Sequence, residues 1–122
     1  MENKTYTDGY LSIEISKTAS NIVVNLTGKS TSRNPGIFLA PILQQVITES
    51  DYGTREIVLD FRELTYMNSS TITPIIKFLN KAKIGNERVS LLYLKTLKWQ
   101  ELSFSALSIF KTKDDRIMIK GI

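Results

Sequence analysis

Four short polar residues in a row, Asn68-Ser69-Ser70-Thr71, separate the apolar run Ile57-Val58-Leu59-Asp60-Phe61 from a second apolar series that begins at Ile72. Amides and hydroxyls in front of a helix accept bonds from its free N–H groups, so capping is one role for them. Pro74 suits the first turn of that helix, where its missing donor costs nothing. The other role is chemical. A helix start carries partial positive charge and accommodates an anion, and a phosphate ester there would add nearly two negative charges. Both readings stand on the residues alone, although one cap needs fewer than four such residues.

The residue types that are missing restrict the rest of the chemistry. There is no histidine and no cysteine. Disulfides, thiolate nucleophiles and Ser-His-Asp or Cys-His arrangements are therefore excluded, and zinc and transition-metal sites lose their two main ligands. A carboxylate pair and an oxygen-ligated Mg2+ site, for instance around Asp60, are the remaining catalytic options. Asp60, however, reads as the end of a strand that bonds loop amides, and the acids are scattered along the chain. The composition points away from an enzyme and implies no metal and no cofactor.

At 122 residues, with 42% hydrophobic and 23% charged residues, the chain is expected to form a single domain over 1–122. No apolar run approaches the roughly 20 residues that cross a bilayer, and Met1-Glu2-Asn3-Lys4-Thr5 lacks an apolar leader, so a cytoplasmic location without a membrane partner is expected. The formal charge of +4 is uneven. Lys77, Lys81, Lys83, Arg88, Lys95 and Lys98 are interrupted only by Glu87. An anionic partner surface could use this stretch, and Lys77 and Lys81, one turn apart, could face it. Nucleic acid is not expected, because no basic helix with interleaved aromatics is present.

The elements that would position the polar tract follow from periodicity. Residues 10–15 alternate and 22–26 form a β-branched run; together they predict an antiparallel hairpin ended by Gly28. Residues 29–36 read as loop. Leu39, Ile42, Leu43, Val46 and Ile47 predict a helix over 37–49, with Pro41 either in its first turn or kinking it. Residues 57–61 predict a strand buried on both faces, and Ile72, Ile75, Ile76, Leu79 and Ala82 predict a helix ended near Gly85-Asn86. A strand at 89–94, a helix at 97–110 and a strand at 116–120 complete the order β-β-α-β-α-β-α-β. That order implies an α/β fold with right-handed crossovers and a largely parallel, mixed sheet. The tract 68–71 then lies beyond the carboxyl end of a strand, where open α/β sheets receive ligands and partners. Arg33 and Asn34 leave the sheet at the same end, which makes Arg33 a candidate phosphate neighbour.

The segment Leu59-Asp60-Phe61-Arg62-Glu63-Leu64-Thr65-Tyr66-Met67-Asn68-Ser69-Ser70 resembles the signature of STAS domains, the anti-sigma-factor antagonist family. In that family a strand leads through a turn and an aromatic to Asp-Ser-Ser-Gly or Asp-Ser-Thr-Gly at the start of the second helix. Val24-Asn25-Leu26-Thr27-Gly28 is similar to the family segment that ends the second strand, and the element order agrees over roughly residues 10–120. Asn68 stands for the family's Asp, Thr71 for its Gly, and Ser30-Thr31 for its Leu-Asp pair. With Trp99-Gln100, these departures look like a divergent branch of bacterial regulatory phosphoproteins.

The resemblance implies a protein-binding regulator in a partner-switching system. The phosphoacceptor would be Ser69, with Ser70 second, in a partner-binding loop of Tyr66, Met67, Asn68, Ser69, Ser70 and Thr71. Partners would be a serine/threonine protein kinase of the anti-sigma type and a phosphatase, or a diguanylate cyclase. An unphosphorylated STAS-like scaffold or ligand-sensing module is the alternative. Tyr66 and Met67 could flank the loop or pack under the sheet end, and Trp99 could anchor an interface or sit in the core.

Overall fold

The computed structural model describes residues 2–122. Its elements are β1 (Glu2–Asp8), β2 (Leu11–Lys17), β3 (Asn21–Ser30), α1 (Pro35–Glu49), β4 (Glu56–Asp60), β5 (Leu64–Met67), α2 (Ile72–Ile84), β6 (Val89–Tyr93), α3 (Lys98–Ser105) and β7 (Ile117–Gly121). Short 3-10 turns at Ser69–Thr71 and Ala106–Phe110 lead into α2 and out of α3. The sheet runs β1-β2-β3-β4-β6-β7, with β5 pairing the far end of β3. β1, β2 and β3 are antiparallel neighbours, and the other pairings are parallel.

One face of the sheet carries the core. Ile13, Val24, Leu59, Leu91 and Ile119 point inward and meet Leu39 and Val46 of α1, Ile75 and Leu79 of α2, and Phe104 of α3. Phe104 packs on Phe61 at 4.6 Å and on Tyr93 at 5.9 Å between ring centroids. β4 alternates between buried and half-buried positions, so it is not covered on both faces as its apolar run predicts. The reason is that Val58 stands on the opposite face of the sheet, level with Val23 and Ser90, where neighbouring side chains only partly shield it.

The predicted hairpin of β2 and β3 is present. Two strands are additional. β1 is a polar edge strand whose residues, Tyr6 apart, are exposed from Asn3 to Asp8, so no hydrophobic alternation marks it. β5 occupies part of the stretch predicted as loop, and β3 continues to Ser30 to pair with it. This pairing shifts register at Gly28, which has φ +86°, and a Cβ there would run into the Tyr10 carbonyl. Only glycine fits that bulge. α1 starts at Pro35, not Ile37, and keeps Pro41 in its interior on the exposed side. The predicted helix 97–110 is a shorter α3 followed by a 3-10 turn.

Candidate functional site

β5 delivers the chain to the carboxyl end of the sheet beside the end of β3. Their last contact is Asn68 N donating to the Ser30 carbonyl at 3.0 Å. Asn68, with an extended backbone, then caps the turn that opens α2. Its Oδ1 accepts from Thr71 N at 3.1 Å and from Thr71 Oγ1 at 2.7 Å. Its Nδ2 donates to the Ser32 carbonyl at 2.8 Å. The amide orientation follows from these partners, since a backbone N–H needs an oxygen and a carbonyl needs a donor.

Thr71 is fully buried and Ser30 nearly so. Their hydroxyl oxygens lie 2.7 Å apart. Because the Thr71 hydroxyl has one proton and spends it on the Asn68 oxygen, the Ser30 hydroxyl must donate to Thr71. A chain of bonds thus runs Ser30 to Thr71 to Asn68 to the Ser32 backbone. The loops after β3 and β5 are locked together by it.

Ser69 and Ser70 lie between these fixed points and are exposed. Neither side chain enters the hydrogen-bonding of the loop. Capping falls to Asn68, the Thr71 hydroxyl is spent on Asn68 and Ser30, and the two serines present free hydroxyls. Tyr66 is about half exposed (49%), whereas Met67 is half-buried and packs on the core.

Ser70 also borders a cleft of ≈ 480 Å³ between α1 and α2. Arg33 and Asn34 line the same cleft, so the loop after β3 does meet the loop before α2. Thr73, Pro74 and Lys77 continue the wall from Ser70 along α2.

Asp60 braces the turn between β4 and β5. Its Oδ1 accepts from Arg62 N and Nε, each at 3.0 Å, and its Oδ2 from Arg62 Nη2 at 2.8 Å. Burial pushes the Asp60 carboxyl up, but the bonds and charge of Arg62 together outweigh it and hold the carboxyl below its ordinary value. Both oxygens are thereby occupied. Among the described residues no group of three or more acids is gathered where a metal could be held.

Gln100, singled out in the sequence only as half of the Trp99-Gln100 pair, supports the turn before β5 in a way that sequence reasoning missed. It is fully buried at the start of α3. Its Nε2 donates to the Phe61 and Leu64 carbonyls at 2.6 and 2.8 Å, and its Oε1 accepts from Leu94 N at 2.8 Å. One amide therefore fixes the turn before β5 to the end of β6. A buried glutamine next to a tryptophan gives no periodic signal of this. Trp99 itself is half-buried, 6.2 Å from Phe104 between ring centroids, and its Nε1 has no partner. No helix among the described residues is long and apolar enough to cross a membrane.

No protein-family model and no curated protein matches the sequence. Solved structures do match the architecture. An anti-sigma factor antagonist from Mycobacterium paratuberculosis aligns at TM-score 0.62 and 13% identity, over 87% of this chain and 90% of that one. SiaC of Pseudomonas aeruginosa aligns at TM-score 0.65 and 19% identity, over 87% and 91%. An uncharacterized protein from Shewanella loihica with a SpoIIAA-like fold aligns at TM-score 0.54 and 15% identity, over 95% and 94%. At these identities the likeness speaks for architecture. The chain has the STAS-like, or SpoIIAA-like, α/β fold.

Proposed function

We propose that this chain is a non-catalytic regulatory module that binds a protein partner through the 66–71 loop, and that phosphorylation of Ser69 sets the affinity. Ser70 is the second candidate acceptor. The observation that carries this reading is the division of labour in the loop. Asn68 and Thr71 do the structural bonding, while Ser69 and Ser70 stand exposed on a rigid support. A hydroxyl that caps nothing can be esterified without unfolding the loop. The added charge then falls on whatever docks there. Likeness to an anti-sigma factor antagonist supports the reading by analogy of fold. The modifying and binding partners would be a serine/threonine kinase of the anti-sigma type and a phosphatase, or a diguanylate cyclase, acting in the cytoplasm. Arg33, which lines the same cleft as Ser70, would serve as phosphate neighbour.

Capture of partners from the native lysate tests it, with wild type, Ser69→Ala and Ser69→Asp as baits. A protein held by wild type and Ser69→Ala should fall about tenfold or more on Ser69→Asp, equivalent to ~1.4 kcal/mol. Equal retention by all three would reject a phosphate-gated interface.

A further inference from the structure

The chain's charges are segregated around the cleft. Between Glu14 and Glu49, and again between Glu63 and Glu87, the sequence has no acidic residue. Those two stretches supply the loop after β3, nearly all of α1, the 68–71 loop and all of α2. They bring Arg33, Lys77 and Lys81 to the cleft walls, and no carboxylate lines it.

The cleft is a trough, not a hole. On α1 its lining recurs at Gly36, Ala40, Leu43 and Ile47, spaced by four, three and four residues. At 1.5 Å rise per residue that is a furrow about 16 Å long. Lys77 and Lys81, one turn apart, form the α2 side with Phe78 between them. Leu43 and Phe78 are buried and give an apolar floor, and Gly36 and Ala40 keep the α1 wall low. Across the mouth Lys81 Nζ donates to Gln44 Oε1, both on exposed side chains, a bond that an incoming carboxylate can replace.

We infer that the trough between α1 and α2 is the docking groove for an acidic amphipathic helix of a partner protein. A helix about 16 Å long spans three turns and can lay apolar residues at i, i+3 or i+4, and i+7 along the floor. The spread of the cations decides against a single-headed amphiphile. A fatty acid places one charge at one end, whereas Arg33 lies at the entrance and Lys77 and Lys81 lie along the side. Carboxylates four apart on a helix meet that row. A second copy of this chain is not the occupant: α1 and α3 carry one acid each and α2 none, so no helix of its own supplies a row of acids.

This inference rests on the proposed binding role but not on phosphate, so its test uses the unmodified chain. A displayed library of random peptides of about 16 residues, four helical turns, is selected on the wild-type protein. Selected peptides are then titrated against Lys77→Glu/Lys81→Glu and against Ala40→Trp, which fills the trough without altering charge. Circular dichroism melts establish that both variants are folded. Enriched peptides should carry Asp or Glu beside Leu, Ile or Phe at helical spacing. They should bind more weakly as salt rises and lose tenfold or more on each variant. Failure to enrich such peptides overturns the proposal, as does equal binding to wild type and both variants. Displacement of enriched peptides by scrambled ones of the same composition overturns it too, and so does saturable binding of dodecanoate in the trough in place of peptides. Phosphate mapping on Ser69 is read separately, so the modification reading and the groove can fail independently.

Discussion

Asn68 and Ser32 are joined by a bond that only an amide can make in this loop: Nδ2 of Asn68 donates to the Ser32 carbonyl at 2.8 Å while Oδ1 is already taken by Thr71. An aspartate could cap Thr71 equally well but would set its second oxygen against that carbonyl. The departure from Asp to Asn at this position thus has a local physical reason in the path of the chain after β3.

Asn68→Asp should therefore be destabilised by about 1–3 kcal/mol at neutral pH, the usual cost of a partly buried polar pair turned repulsive or unsatisfied. Urea unfolding at pH 7 measures it. An Asn68→Asp protein as stable as wild type would mean that the two loops are not held by this amide.

Ser30 and Thr71 should couple. Thr71→Val keeps the shape but strips the acceptor from a buried Ser30 hydroxyl, and Ser30→Ala removes its donor. Each single change should cost about 1–3 kcal/mol. The double variant should cost less than the sum by roughly 0.5 kcal/mol or more. Strict additivity in denaturant unfolding would contradict the bond chain.

Gln100→Leu removes the partner of the Leu94 N–H and the side-chain donor to the Phe61 and Leu64 carbonyls, of which Phe61 keeps its bond from Leu64 N at 3.0 Å, so a loss of about 1–3 kcal/mol is expected. Gln100→Glu should be at least as damaging, because a carboxylate would face the Phe61 and Leu64 carbonyls. Because those carbonyls bracket the turn before β5, amide exchange at 64–71 should speed up more than exchange in β2. Uniform acceleration would instead mean that Gln100 supports only global stability.

Asp60 gives the acid limb a sign. Its carboxyl is held below the ordinary value, so its contribution is fully present above the unfolded-state pKa of about 3.9 and is lost as pH falls through the lower folded value. Wild type should therefore lose stability on acidification through this window, and Asp60→Asn should lose less over the same interval. Arg62 is well exposed, so the difference should be small and shrink with salt. Identical acid limbs in urea titrations would contradict the pairing.

Much of this architecture was legible because helix and strand periods were strong where burial was one-sided. Leu39, Leu43 and Val46 mark α1, and Ile75, Leu79 and Ala82 mark α2, with their core faces written in the spacing. β1 and β5 left no such mark. In β1 the exposed positions are polar throughout, and β5 has four residues with Thr65 and Tyr66 exposed. Missing β5 hid the pairing that carries Ser30 to Thr71, so the loop's polar tract was visible but its internal bonding was not. Gln100 was hidden for a similar reason: its three partners are backbone atoms from other elements. The basic stretch from Lys77 to Lys98, interrupted only by Glu87, was plain in the chain, and only the fold showed that Lys77 and Lys81 share a cleft with Arg33.

The measurement that bears most directly on the regulatory claim is phosphate mapping, by mass spectrometry, on this protein recovered from its own cells under several growth conditions. The account requires a phosphorylated fraction on Ser69 that changes with conditions and disappears in Ser69→Ala without moving to Thr71, which is buried. A chain that stays unmodified in every condition, or carries its phosphate outside Ser69 and Ser70, would contradict it.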